Sequence, residues 1–251
     1  KARKVKRQEY DPNDPLLRSA FTPVRRDYPK NVTLPKGLTW DMLPDLPYAD
    51  RMPRRLITRA GARVRGIFNH RRMGRCEWES GPESCLYPLL AMTKSVSRVY
   101  SQPVVIRLNA GEYTPDALAF LANGKRLWIE CKQSSDLDEE TWVKMAEAAL
   151  TFLNAGDRFV IVDETYLKDE LPAVINARFF STWYEETADF VPLVKEPRPY
   201  TELIGLYGAH AINRAVARGE LMLDFSVEYS PQTLMWTPKK GEGYEPDFIN
   251  A

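Results

Sequence analysis

Asp116, Glu130 and Lys132 sit where three side chains can act on a single reactant. Glu130 and Lys132 stand two apart in an otherwise apolar run, Leu127-Trp128-Ile129-Glu130-Cys131-Lys132. Side chains alternate faces along a strand, so the two charges share one face and Cys131 points to the other. Asp116 follows Pro115 at the start of a second apolar run. Paired as a hairpin, the runs bring two carboxylates and one ammonium to one sheet edge. Such a set can hold a hard divalent cation and steady a nucleophilic water beside a phosphodiester. Asp116 is the expected direct ligand and Glu130 the second carboxylate, with the Cys131 backbone carbonyl as a further oxygen. Lys132 is expected to orient the water and stabilise developing charge, because an ammonium among carboxylates keeps its proton unless desolvated. Mg2+ suits these oxygens, with Mn2+ as a substitute.

The elements that must position this set are legible around it. Pro82 and Glu83 suit the first turn of a helix, where proline is tolerated and an acid favours the helix dipole. Glu83 is the expected third carboxylate; Glu79, one turn earlier, is the competitor, or serves as capping chemistry beside Ser80. Pro88 interrupts the helical spacing of Leu86, Leu89 and Leu90 and predicts a kink or a later start. Strands are expected over 96–100, 104–108, 114–121 and 126–132, the last two joined through Asn123-Gly124, a strong hairpin signal. Asp138-Glu139-Glu140 opens a helix with apolar positions Trp142, Met145, Ala149, Phe152 and Leu153, ending near Gly156. A short strand follows over 158–162. Helix, strands, helix, strand is an α/β layer order.

The flanks differ in character. Residues 1–55 carry eight prolines between Pro12 and Pro53 and no period, and read as an extended basic arm. The segment 56–75 alternates arginine with small and apolar residues and predicts a loop-rich basic approach. Residues 56–165 form the α/β unit. Residues 166–238 read as helical segments followed by two strands, a small winged-helix-like unit, and 239–251 as a tail. Trp128, Trp142 and Trp183 are packing candidates, and His210 a helix-surface residue.

Net charge is only +1, yet residues 1–75 hold 19 Lys and Arg against 7 Asp and Glu, leaving a balance of −11 for the remainder. A basic first third predicts a polyanion partner, with Arg59, Arg63, Arg65, His70, Arg71, Arg72, Arg75 and Gln102 as the DNA-contacting candidates. The three cysteines show neither a disulfide framework nor zinc-ligand spacing, which predicts a reducing compartment. No apolar run reaches the ~18–20 residues of a membrane span, and no signal-peptide apolar region follows the basic start. The first residue is Lys1 rather than Met, so a few preceding residues are expected.

The Pro115-Asp116 and Glu130-Cys131-Lys132 pattern resembles the PD-(D/E)xK signature of restriction-endonuclease-like nucleases. Five segments in order narrow the likeness: Gly74-Arg75; Glu79-Ser80-Gly81-Pro82-Glu83; Val99-Tyr100-Ser101-Gln102-Pro103; Tyr113-Thr114-Pro115-Asp116; and Ile129-Glu130-Cys131-Lys132. Together they resemble TnsA, the endonuclease subunit of heteromeric cut-and-paste transposases, over about residues 63–133. The resemblance implies an α/β restriction-endonuclease-like nuclease domain with a winged-helix-like C-terminal domain. It implies cleavage of the 5′ strands at transposon ends in double-stranded DNA, beside a DDE transposase of TnsB type and an AAA+ regulator of TnsC type. Carried over by motif, the metal site is Glu83, Asp116 and Glu130, completed by Lys132, in a bacterial cytosol and on the nucleoid when active. Other readings stay open: a stand-alone restriction- or repair-type nuclease of this fold, or a non-catalytic DNA-binding scaffold.

Overall fold

In the computed structural model, residues 29–53, 56, 65–186 and 192–250 are described. The chain runs through β1 (Gly66–His70), β2 (Gly74–Trp78), α1 (Gly81–Met92), β3 (Val96–Ser101), β4 (Ile106–Leu108), β5 (Gly111–Tyr113), β6 (Ala117–Leu121) and β7 (Arg126–Lys132). Next come α2 (Glu139–Asn154), β8 (Arg158–Asp163), α3 (Glu164–Asp169) and α4 (Leu171–Ser181). The last part holds β9 (Arg198–Pro199), α5 (Tyr200–Tyr207), α6 (Ala209–Ala217), β10 (Met222–Leu223) and β11 (Leu234–Trp236). The fold is mixed α/β.

A four-stranded sheet of order β3-β6-β7-β8 is its centre. β6 runs antiparallel to both β3 and β7, and β8 joins β7 in parallel after the α2 crossover. The β6–β7 turn closes with Gly124 at φ 81°, a conformation glycine adopts without strain, and Asn123 Oδ1 accepts from the Lys125 N–H at 3.0 Å. Asp138 caps α2 by accepting from the Thr141 N–H at 2.8 Å. Pro88 lies inside α1 without ending it, because a buried helix face holds the turn on both sides.

Strand alternation sends Leu127, Ile129 and Cys131 to the α1 side of the sheet. There they join Leu86, Leu89 and Leu90 in an apolar cluster that continues into Phe180, Leu203 and Ile212 of the C-terminal part. Trp128 and Leu118 point to the α2 side, where the Trp128 and Phe152 rings stack with centroids 4.5 Å apart. Burying such a side chain contributes about 2–3 kcal/mol.

The structure sharpens several expectations. The described part of the arm, 29–53, packs on the sheet: Leu38, Leu43 and Leu46 complete the Trp128 cluster, and Tyr48 bridges to Ile106. Segment 66–78 is the β1–β2 hairpin rather than loop, with Phe68 and His70 turned inward by alternation. Trp142 and Leu153 of α2 are not core: they are 50% and 58% exposed, because Met145, Ala148 and Phe152 make the inward face. The end of the chain is a strap rather than a loose tail. The Glu245 carboxylate accepts from the Ser95 N–H at 2.7 Å and Oγ at 2.6 Å, and Phe248 and Ile249 are buried. The expected strand at 114–121 begins only at Ala117, and that at 104–108 only at Ile106.

The C-terminal part runs α4, β9, α5, α6, β10, β11, and its strands form an antiparallel sheet of order β10-β11-β9. Gly208 turns α5 into α6 at φ 82°. Among the described residues no helix is long and apolar enough to cross a membrane.

Candidate active site

The β6–β7 register pairs Ala117 with Ile129, and one further step sets Asp116 opposite Glu130. Asp116, held just before β6 by Pro115, accepts the Cys131 N–H on Oδ2 at 2.8 Å. Its Oδ1 accepts no hydrogen bond among the described residues. Its backbone carbonyl accepts from the Tyr87 hydroxyl at 3.0 Å and from the Gln102 N–H at 2.9 Å. Glu130 is 2% exposed; its Oε1 meets Lys132 Nζ at 2.6 Å and its Oε2 accepts from the Tyr113 hydroxyl at 2.6 Å. Cys131 turns its side chain into the α1 cluster.

Glu83, 4% exposed, sits in the first turn of α1. Ser80 caps α1: its Oγ accepts the Glu83 N–H at 3.2 Å and donates to Glu83 Oε1 at 2.7 Å. Glu83 Oε2 accepts the Glu79 N–H at 3.2 Å. Glu79 itself pairs with Arg65 at 3.7 Å.

Electrostatics separates the members of the set. Burial, then the Glu130 and Glu83 carboxylates, hold the Asp116 carboxyl well above the usual carboxylate range; the Cys131 N–H and Lys132 oppose this. Burial alone would weaken the Lys132 charge, but Glu130 more than offsets it and keeps the ammonium above its ordinary range. Lys132 is therefore a charge donor rather than a base. Burial, then Glu130, also hold the Tyr113 phenol well above its usual range, so it remains a hydrogen-bond donor.

The donor set fits a hard cation by chemistry and charge. Three buried carboxylates and one ammonium leave an excess of negative charge, and the strain of that excess falls on Asp116. Mg2+ keeps most of its waters and needs only one or two direct carboxylates. As the side chains stand, no group of three or more His, Cys, Asp or Glu among the described residues encloses an ion position. The Glu83 and Glu130 oxygens are engaged by protein donors, which leaves Asp116 Oδ1 as the open oxygen.

The DNA-contacting candidates divide. Arg59 and Arg63 lie outside the described residues, as does the basic cluster at 1–7. Arg71 and Arg75 are exposed, paired with Glu185 at 3.6 Å and Glu77 at 2.8 Å, contacts that cost little to exchange in solvent. Arg65 is turned toward Glu79. Two candidates are turned inward. His70 is buried between Phe68 and Tyr184 and is pushed down to about 4 by burial, then by Arg72. Arg72 is half-buried, donates to the Ala91 carbonyl at 2.5 Å and stacks 5.8 Å from the Tyr184 ring centre. Neither is a fully exposed surface cation. Gln102 lies beside Asp116 in the left-handed region at φ 41°, with Oε1 buried and without a hydrogen-bond partner among the described residues.

Sequence reasoning missed Tyr113 as the holder of Glu130 and Ser80 as the holder of Glu83. The Ser80-x-x-Glu83 spacing was the available signal for the second; nothing local marks the first. No protein-family model matches this chain, and no curated protein matches it significantly.

Proposed function

We propose that this chain is a metal-dependent DNA endonuclease of TnsA type, the subunit that cuts the 5′ strands at transposon ends beside a DDE transposase of TnsB type and an AAA+ regulator of TnsC type. One observation carries the reading: Asp116, just before β6, stands opposite Glu130 of β7 among buried apolar residues, with the Lys132 ammonium on Glu130. Charges are expensive in such a place, and a structural role for them would end in balance rather than in excess. The order α1, three antiparallel strands, α2, parallel strand supports a restriction-endonuclease-like domain. The order helix, strand, two helices, two strands, with β11 between β10 and β9, supports a winged-helix-like C-terminal unit.

Asp116, Glu130 and the Cys131 carbonyl would hold Mg2+, with Glu83 as the outer carboxylate. Bound there, the ion supplies charge neutralisation at the phosphate and an acidified water. Tyr113 fixes the Glu130 rotamer, and Ser80 fixes Glu83. Lys132 keeps its proton and serves the attacking water and the developing phosphate charge as a donor.

The test is 5′-strand cleavage of a transposon-end duplex with Mg2+ and the partner transposase. Asp116→Asn is expected to reduce cleavage by roughly 10³-fold while leaving DNA binding intact. Cleavage at the wild-type rate would refute the assignment.

A further inference from the structure

We propose that the cavity between the β1–β2 turn, the last turn of α1, the end of α6 and the C-terminal strap binds a phosphate-bearing anion of nucleotide size. Its volume is about 560 Å3, within the range of small-molecule sites. It is separate from the carboxylate set: α1 carries Glu83 in its first turn and Ala91 and Met92, which line the cavity, in its last, roughly 12–14 Å further along the axis.

Charge sets the class of ligand. Arg72, Lys94, Arg218, Lys239 and Lys240 line the cavity against only Glu220 and Glu242. Both acids are already committed. Glu220 accepts from Arg218 at 2.6 Å, and Glu242 accepts from the Lys239 N–H at 2.8 Å and from Trp236 Nε1 at 3.2 Å. Three positive charges remain in a concave wall, which favours a multiply charged anion over a single carboxylate.

Hydrogen-bond capacity points the same way. A guanidinium carries five donors. Arg72 spends one on the Ala91 carbonyl and Arg218 one on Glu220. The Nε atoms of both are buried without a hydrogen-bond partner among the described residues. Buried donors left unmade are costly, and two guanidinium forks matched to several oxygens of one anion are the arrangement that phosphate satisfies. Tyr184 and Phe225 supply apolar wall for the remainder of the ligand. Lys94 already donates to the Glu242 carbonyl at 2.7 Å, so the strap forms one side of the site.

The phosphate could belong to a free nucleotide or to a DNA backbone, and the test separates them. The full chain is titrated calorimetrically with inorganic pyrophosphate and with ATP, then again in the presence of a short duplex. Saturable binding of pyrophosphate is expected, with a dose-dependent rise in melting temperature. Arg218→Gln is expected to weaken it roughly tenfold or more. The exposed pair Lys239→Gln/Lys240→Gln is expected to weaken it several-fold, and Lys144→Gln on α2, across the sheet from α1, not at all. Competition by the duplex assigns the site to backbone phosphate; ATP binding that the duplex leaves unchanged assigns it to a free nucleotide. Absence of binding at millimolar pyrophosphate, or equal binding by wild type and the two-lysine variant, overturns the proposal.

Discussion

Two buried acidic sites flank the central sheet, and they are built oppositely. At the β8 end, Asp157 accepts from Arg126 Nε at 2.7 Å and from Trp128 Nε1 at 2.8 Å. One carboxylate meets one guanidinium, both oxygens are occupied, and Arg126 also donates to the Met42 carbonyl at 3.0 Å. That site closes its own charge and ties residues 29–53 to the sheet. At the other end Asp116, Glu130 and Glu83 face each other with one lysine among them. A site that only stabilised the fold would resemble the first. The second stays short of positive charge, which is the condition under which a cation binds.

The contrast predicts opposite phenotypes for two aspartates. The largest effect is on activity: with the cleavage loss at Asp116→Asn should come a raised denaturation midpoint at pH 8. Burial and two carboxylates hold the Asp116 carboxyl above its unfolded value, so its contribution is full at low pH and is lost as pH rises. The gain from Asn should therefore shrink toward acid pH. An Asp116→Asn midpoint below wild type at pH 8 would break the contrast.

Asp157→Ala is expected to cost about 3 kcal/mol, since it strands a largely buried guanidinium and an indole N–H. Urea denaturation measures this, and refolded protein should retain its metal response. A loss below ~1 kcal/mol would show that the Arg126–Asp157–Trp128 ladder is not what anchors the arm.

His70 gives a pH test. Its folded value near 4 lies below the ordinary value of 6.5, so it contributes stability above 6.5 that is lost as pH falls toward 4. The loss is on the order of 2–3 kcal/mol, and His70→Gln should flatten the stability profile over that window. An unchanged profile in the variant would place the acid sensitivity elsewhere. The smallest effect concerns the strap: Glu245→Ala, losing two bonds to Ser95, should lower stability by about 1 kcal/mol in the same denaturation assay.

What was legible in the sequence followed from local periods. The apolar run interrupted by Glu130 and Lys132, the Asn123-Gly124 turn and the Asp138 cap are encoded within a few residues of one another, and the strand, hairpin and helix form there. The rest depends on distant partners. Leu38, Leu43 and Leu46 lie among prolines without a period, and their partner Trp128 is some eighty to ninety residues away. Glu245 meets Ser95 across 150 residues. In β1 and β2 the arginines hid the alternation of Phe68 and His70, so buried positions read as a basic surface. Trp142 shows the reverse error: helical spacing alone does not say which of two apolar stripes on α2 turns inward. Tyr113 stands within the quoted motif, but its bond to Glu130 exists only once β5 packs against β7.

The most direct test of the central claim is calorimetric titration of the full chain with Mn2+ or Mg2+ alone, comparing wild type with Asp116→Asn. A hard cation entering a site whose aspartic acid carries a proton must release it, so the heat should scale with the ionisation enthalpy of the buffer. The account predicts saturable binding with proton release by wild type and its loss in the variant. No binding by wild type, or equal binding by both proteins, would contradict it.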